Sequence, residues 1–561
     1  MNIALAQLNP TVGDLAGNSL KIIKAIEDAR DQGAELVVFS ELIICGYPPR
    51  DLLHVEGFVE ECAAMIKSIG EHHTKDISII IGTPLPIDTQ EGISNSLVVY
   101  TNNEYINYYD KRLLPTYDVF DEDRYFAAGD EHCVVTINNT RVGLAICEDL
   151  WKGNDSGFSS RYSDEINPVD DLISAGAQIV ITPSASPFVL EKEDKHIDIL
   201  ANHARKHAIP VISVNQVGAN DDLIFAGQSA IVDKHGQVCA QGKRFEEDLL
   251  IVDINNLQPI EQVQVDHERV VIEAITLGTH DYVTKCGFQK VCLGLSGGID
   301  SAIVAALGVR ALGKDHVLGV SMPGKFSSDH SMTDAFDLAK NLGMNCITMP
   351  IEPGFIGVSQ SLNPAFTEIN QLNLGESLPD LTQENLQSRI RGTMMMALSN
   401  RTGALVLTTG NKSEIAVGYC TLYGDMNGGL AVIADLPKTM VFKVCRYMNE
   451  HFESLGYDSP PIPVNTIEKP PSAELAPNQL DSDSLPDYDI LDEIVERHIE
   501  GHQNASTITE QTNFDPDTVH RICKLIDRNE YKRQQMAVGL KVTTKAFGPG
   551  RRMPIAHRWT R

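Results

Sequence analysis

Three segments in the first half of this 561-residue chain carry groups able to transfer an acyl unit. In FSELIICGYPP (39–49) an apolar run ends at Glu41, and in YDKRLLPTYDVFDEDRYF (109–126) Lys111 sits in a polar, proline-punctuated stretch. In GLAICEDLW (143–151) a second apolar run ends at Cys147, followed by Glu148 and Asp149. A thiol attacks a carbonyl, a carboxylate takes and returns protons, and an ammonium stabilises the oxyanion. Taken singly, a cysteine at a strand end is more simply core, since cysteine is among the most buried residue types. Cys45, close to Glu41, is a rival nucleophile; Cys147 is preferred because it directly follows a strand pattern.

A second set lies in CLGLSGGIDSAIVAAL (292–307), where glycines and serines surround one aspartate between an apolar run and a helical pattern. A glycine-rich turn from strand to helix lets backbone N–H groups converge on an anion, and the helix start adds positive potential. Glycine is needed where a side chain would block that approach or where φ is positive. Ser296 and Ser301 add hydroxyl groups. Asp300 would repel a bare phosphate, and a Mg²⁺ ion between them removes the conflict. The loop is not GxxxxGK[ST]. GVSMPGKF (319–326) comes near that pattern, but Phe326 stands where a metal-ligating hydroxyl belongs, so the segment reads as a strand followed by a turn.

Positioning these groups requires a sheet. Residues 1–255 alternate short apolar runs (3–6, 36–39, 77–81, 97–100, 142–146, 179–181, 211–214) with stretches of helical spacing (18–32, 58–72, 193–207). The continuous runs at 77–81 and 179–181 predict strands buried on both faces, hence a layered α/β architecture. INNLQPIEQVQVDHERV (254–270) is polar and contains Pro259, which predicts a first domain at 1–258, a linker at 259–269 and a second domain at 270–561. There, helices at 270–285, 301–312, 331–342 and 383–400 alternate with strands at 290–295, 316–321, 345–349 and 404–409, a series suited to a parallel sheet. The Pro-, Ser- and Asp-rich stretch 459–489 predicts an ordered surface arm or a mobile loop.

Composition narrows the function classes. The chain is 42% hydrophobic and 22% charged, enough to build large cores. A net charge of −30 repels a phosphate backbone and argues against nucleic acid as a general partner. The 11 cysteines form no CxxC pair, which argues against both a zinc site and a disulfide framework. No apolar run reaches the roughly 18 residues of a membrane span. With no basic-then-apolar leader at MNIALAQLNP, the expectation is a cytoplasmic protein that engages no membrane.

The three acyl-transfer segments, in this order, resemble the nitrilase (carbon–nitrogen hydrolase) superfamily over about residues 1–255. The resemblance implies an α-β-β-α sandwich and a catalytic triad of Glu41, Lys111 and Cys147. Its glutaminase branch implies glutamine binding by Tyr117, by Ser186 in Ser-Pro-Phe (186–188) and by Lys192. LGLSGGIDS resembles the pyrophosphate loop of ATP pyrophosphatases, which adenylate a substrate and release pyrophosphate (PPi). GMP and asparagine synthetases share that loop. Downstream, ENLQSRIRGTMMMALSN (384–400), LVLTTGNKSEIAVGYCTLYGDMNGG (405–429), DLPKTMVFKVCRYM (435–448) and EYKRQQ (530–535) resemble NAD synthetases.

The whole chain thus resembles the glutamine-dependent NAD synthetase family. That implies a Rossmann-like parallel-sheet second domain, with ATP as co-substrate at Gly294, Leu295, Ser296, Gly297, Gly298, Ile299, Asp300, Ser301, Thr409 and Lys443. It implies deamido-NAD at Asn385, Glu414 and Lys532, with Arg389 and Arg391 as further contacts, and Mg²⁺ at Asp300 and Glu414. Leu422 departs from the lysine found in ammonia-only synthetases. The activity implied is amidation of adenylated deamido-NAD by ammonia freed from glutamine and guided along an enclosed passage. The partners implied are these small molecules and further copies of the chain in a homo-oligomer.

Overall fold

In the strand Asn2–Gln7, Ile3 and Leu5 enter one core while Ala4 and Ala6 enter another. Burial on both faces is what a continuous apolar run requires, because successive side chains point to opposite sides of a sheet. The computed structural model describes residues 1–87, 92–152, 162, 167–190, 193–369, 380–472, 474–476 and 479–559. They form two units, Met1–Gln264 and Val265–Arg561.

The first unit has two six-stranded sheets. One runs, in spatial order, Asp248–Asp253, Asn2–Gln7, Leu36–Phe39, Ser78–Pro86, Ile93–Thr101 and Glu104–Asp110. The other runs Val238–Gln241, Ala230–Val232, Val211–Asn215, Ile179–Ser184, Thr140–Leu144 and Cys133–Ile137. Leu36, Val38 and Ile80 of the first meet Leu144, Ile181 and Ile212 of the second in the central core. On the outer face of the first sheet, Val37, Phe39 and Ile79 pack against Ile22 and Ile26 of the helix Leu15–Asp31 and Ile66 of Phe58–His73. On the second, Val180 and Val211 pack against Leu172 of Pro168–Ser174 and Leu200 and Ala204 of Glu193–His207. The unit is an α-β-β-α sandwich.

Among the described residues of this unit, parallel pairing joins Asn2–Gln7 with Leu36–Phe39, Leu36–Phe39 with Ser78–Pro86, and the trio Thr140–Leu144, Ile179–Ser184 and Val211–Asn215. Glu41, Cys147 and Ser186 emerge past the carboxyl ends of three of these strands, whereas Lys111 follows the antiparallel strand Glu104–Asp110. The strand Glu104–Asp110 has no counterpart in the periodicity. It is exposed over its first five residues, so it offers no apolar run to read.

The second unit carries a parallel sheet in the order Asn345–Thr348, Val317–Ser321, Val291–Gly294, Leu405–Thr408, Leu430–Ala431 and Val538–Gly539. The chain enters at the central Val291–Gly294, builds outward to one edge, then returns to Leu405–Thr408 on the other side. That reversal leaves a crevice beyond the ends of these two strands, where ligands of open α/β sheets bind. Segment 459–489 is an ordered arm in its described residues, with the helix Val464–Glu468 and a buried Asp481. Among the described residues no helix is long and apolar enough to cross a membrane.

Candidate active sites

Four strand ends of the first unit converge. Glu41 follows Leu36–Phe39, and its turn lies against Gly82, where a side chain would begin 2.4 Å from the Leu42 amide nitrogen. Glycine at 82 is therefore what lets the Glu41 turn approach. Lys111 follows Glu104–Asp110, Cys147 follows Thr140–Leu144, and Ala185 follows Ile179–Ser184. Glu41 Oε1 accepts from Lys111 Nζ at 2.7 Å and from Asn95 Nδ2 at 2.7 Å, and Oε2 accepts from the Ala185 N–H at 3.0 Å. Lys111 also donates to both oxygens of Glu122, at 2.9 and 2.7 Å, and Tyr47 Oη adds a donor to Glu122 at 2.8 Å.

Lys111 is fully buried. Burial works against its charge, but Glu122 and Glu41 outweigh it and hold the pKa well above that of an ordinary lysine, so it stays an ammonium. Burial pushes the Cys147 thiol well up, and Glu41 adds to this against the pull of Lys111. Cys147 is thus held as a neutral thiol, and Glu41 is the carboxylate whose charge it feels most. Cys147 opens a short 3₁₀ turn with φ of 41°, a left-handed conformation uncommon for a residue with a side chain. Asp149 holds that turn, accepting from the Ile146 N–H at 2.8 Å, the Leu113 N–H at 2.9 Å and Tyr109 Oη at 2.8 Å. It thereby fastens the cysteine turn to the lysine loop.

Cys45, the rival, belongs instead to the outer core beneath the helices, and burial raises its thiol pKa. Glu148 accepts from Tyr117 Oη at 2.9 Å and Tyr162 Oη at 2.8 Å. Burial nevertheless raises its pKa to about 7. The Ser186 N–H donates to Asn215 Oδ1 at 2.9 Å, one residue from the Ala185 anchor of Glu41. Tyr117 is thus brought beside the Cys147 turn and Ser186 beside Glu41, while Lys192 lies outside the described residues. Sequence reading missed Glu122, Asn95 and Asp149 as contributors. Glu122 lies 11 positions from Lys111 in the same acidic stretch, and nothing in its spacing separates it from surface charge.

In the second unit, Val291–Gly294 passes through the loop into the helix Ile299–Leu312. Gly297 has φ of 75°, and a side chain there would begin 2.3 Å from the Ser331 carbonyl oxygen. Both facts demand glycine. Ser296 and Ser301 hydroxyls lie 3.2 Å apart, and the Gly298 N–H donates to Ser296 Oγ at 3.2 Å. The Leu295 N–H is spent on Val320 O at 2.9 Å, and Leu295 and Ile299 side chains are buried, so these two shape the loop.

Beyond the loop, Lys438 Nζ donates to Asp300 Oδ2 at 2.5 Å and Glu414 Oε1 at 3.0 Å. Asn411 Nδ2 donates to Asp300 Oδ1 at 3.0 Å, while its Oδ1 caps the Glu414 N–H at 3.0 Å. Burial pushes the Glu414 carboxyl up, opposed by Lys438. Asp300 and Glu414 are therefore brought together, with Thr409 just past the strand Leu405–Thr408. Lys443 is not: it is exposed on the helix Lys438–Glu450, whose buried face carries Lys438, Val441 and Val444. The cation at the loop is Lys438, five positions earlier in the same segment. Asn385 Oδ1 accepts from Thr421 Oγ1 at 2.9 Å, and Lys532 donates to the carbonyls of Gly418 at 2.8 Å and Cys420 at 2.7 Å. Both brace the loop after the helix Lys412–Val417. Arg389 donates to Leu422 O and Arg391 to Met322 O, each at 3.2 Å.

Residues 2–262 match the carbon-nitrogen hydrolase family and residues 271–536 the NAD synthase family. The chain is 46% identical to a glutamine-dependent NAD(+) synthetase of Synechocystis sp., with 99% of this chain and 98% of that one covered. It is 39% identical to one from Thermotoga maritima, covering 100% and 99%. Among solved structures, the glutamine-dependent NAD+ synthetase from Acinetobacter baumannii in complex with ADP is 36% identical with a TM-score of 0.75, covering 99% and 98%. That from Cytophaga hutchinsonii, 22% identical with a TM-score of 0.80 over 99% and 97%, shares the fold. A thiol site on a sandwich and an anion loop on a parallel sheet, joined in one chain and matched along its whole length, make this a member of the glutamine-dependent NAD(+) synthetase family.

Proposed function

We propose that this chain amidates deamido-NAD (nicotinic acid adenine dinucleotide) to NAD at the expense of ATP, using ammonia that its first unit releases from glutamine. Glutamate, AMP and PPi are the other products, and the reaction is the last step of NAD biosynthesis. The observation that carries this reading is that one chain holds two dissimilar charge sites, Lys111 with Glu41 beside Cys147 and Lys438 with Asp300 at a glycine-rich loop, and is similar along its whole length to a glutamine-dependent NAD(+) synthetase.

In the first unit, the Cys147 thiol attacks the side-chain amide carbon of glutamine while Glu41 takes its proton. Lys111 has its donors engaged by Glu41 and Glu122, so it stabilises the oxyanion through fixed positive charge. Glu41 returns the proton to the leaving nitrogen, ammonia departs, and a glutamyl thioester remains. Water then adds with Glu41 as base, releasing glutamate and the thiol. Tyr117, Ser186 and Lys192 hold the glutamine. Burial raises the Glu148 carboxyl to about 7, two phenols contact it, and a substrate ammonium would complete its environment.

In the second unit, a carboxylate oxygen of deamido-NAD attacks the α-phosphorus of ATP and PPi leaves along Gly294–Ser301. Ammonia attacks the resulting acyl-adenylate at carbon and AMP leaves. Lys438 takes the phosphate role that the sequence assigned to Lys443, and Asn385 and Lys532 shape the deamido-NAD site. Asp300 and Glu414 would hold Mg²⁺. Two carboxylates already converging on one cation supply the oxygen donors this ion takes. When bound, it would offset charge on the phosphate oxygens. The same reading places the chain in the cytoplasm as a homo-oligomer. All eleven cysteines are free thiols, in keeping with a reducing compartment.

The test is NAD formation from deamido-NAD and ATP, with glutamine against ammonium. Cys147→Ala should abolish the glutamine-driven reaction and spare the ammonium-driven one. Undiminished glutamine use would refute the thiol site, and loss of both reactions would refute the division into two sites.

A further inference from the structure

The helix Lys412–Val417 is six residues long, too short to hold itself without tertiary contacts. Its cap, Asn411, is fully buried and bridges Asp300 and the Glu414 N–H. The next residue, Lys412, is 1% exposed, and its hydrogen bonds and ion pairs lead away from the Asp300 cluster. Its Nζ donates to Thr543 Oγ1 at 2.6 Å, Glu500 Oε1 at 2.8 Å and Lys545 O at 3.0 Å, and lies 3.0 Å from Asp435 Oδ1.

The carboxylates that neutralise Lys412 also bind the backbone around residue 543. Asp435 Oδ2 accepts from the Val542 N–H at 2.8 Å and the Thr543 N–H at 2.7 Å, and Glu500 Oε2 accepts from the Thr544 N–H at 3.2 Å. An ammonium buried this deeply is sustained only by both partners, since its desolvation is costly and removing one side leaves a charge unpaired. The following residue reaches the third part of the site: Ser413 Oγ accepts from the Lys438 N–H at 2.8 Å. Residues 411–413 thus connect Asp300, the C-terminal stretch 542–545 and the start of the Lys438 helix.

We propose that Lys412 is a positioning residue for adenylation: through Asp435, Glu500 and Thr543 it ties segment 542–545 to the turn that carries Glu414, and so holds Asp300 and Glu414 in register for Mg²⁺–ATP. This rests on the reading of Asp300 and Glu414 given above. The C-terminal stretch is on this account a working part of the second site, acting through Lys412, Asp435 and Glu500.

The experiment uses the full chain with ammonium as nitrogen donor. In Lys412→Met, half-saturation by Mg²⁺ should rise about tenfold or more, as for outer partners of metal ligands. Glutamine hydrolysis by the first unit should be unchanged. Without ATP or Mg²⁺, amide exchange should quicken together at 411–414 and at 542–544. Thr543→Val removes a neutral contact and no charge, so it carries the test alone if Lys412→Met does not fold. It should raise the same half-saturation by less. Glu414→Gln is the control. Should it leave Mg²⁺ half-saturation unaltered, the reading of the second site fails; if it raises it while Lys412→Met and Thr543→Val do not, only the positioning role is overturned.

Discussion

Each unit of this molecule buries a lysine between two carboxylates. In the first, Lys111 lies 2.7 Å from Glu41 and 2.7 Å from Glu122; in the second, Lys438 lies 2.5 Å from Asp300 and 3.0 Å from Glu414. With every group ionised each triple carries a net charge of −1, and the two differ in access. The carboxylate side chains of the first are 1% and 5% exposed, whereas those of the second are 19% and 17% exposed. A sealed triple beside a thiol has only a proton to exchange, which suits the base proposed above. A triple open to the crevice attracts a further cation, so it suits a metal–phosphate ligand.

Exchanging one charge in each triple breaks the comparison most sharply. Glu41→Gln should lower glutamine hydrolysis by about 10³-fold and leave ammonium-driven NAD formation intact. Lys438→Met should do the reverse, lowering the ammonium-driven rate by about 10²-fold while glutamine hydrolysis continues. A variant that damages both rates equally would show that the two triples are not separable. Acidity gives a finer probe. Glu148 is raised to about 7 by burial, so kcat/KM for glutamine should rise with pH through about 7 as its carboxylate forms. Glu148→Gln should remove that limb, and a limb that persists assigns it elsewhere, with Glu122 the next group to replace. The smallest effect is expected from Tyr117→Phe. Its hydroxyl donates to Glu148 and favours the charged form, so the limb should move upward in pH, with a loss of binding on the order of 1 kcal/mol. A downward movement would contradict the contact.

Much of this arrangement was legible in the residues. Strands buried on both faces announced themselves as unbroken apolar runs, and 36–39 is a strand to the residue. Glu104–Asp110 was illegible because it is exposed along most of its length. Glu41 and Cys147 were visible as functional groups closing apolar runs and Lys111 as a lysine in a polar, proline-punctuated stretch, but Glu122 was not visible. A carboxylate in an acidic stretch becomes notable only when folding removes it from water beside Lys111. Lys443 and Lys438 show the same limit on a helix. Both are lysines of one segment, and only the packing of Val441 and Val444 decides that Lys438 turns inward. Asn411 and Lys412 lie in a segment that resembles NAD synthetases, but nothing in it gave their roles, since their partners lie up to 133 positions away.

Asp149 has a consequence for reading related sequences. It bonds to no reacting atom, yet it joins the turn that sets Cys147 to the loop that sets Lys111. A descendant of this chain could keep glutamate, lysine and cysteine at 41, 111 and 147, pass every motif inspection, and still be inert toward glutamine after losing one aspartate. Such a chain would survive as an enzyme fed by free ammonium alone, so the genetic route from glutamine user to ammonia user need not pass through the nucleophile.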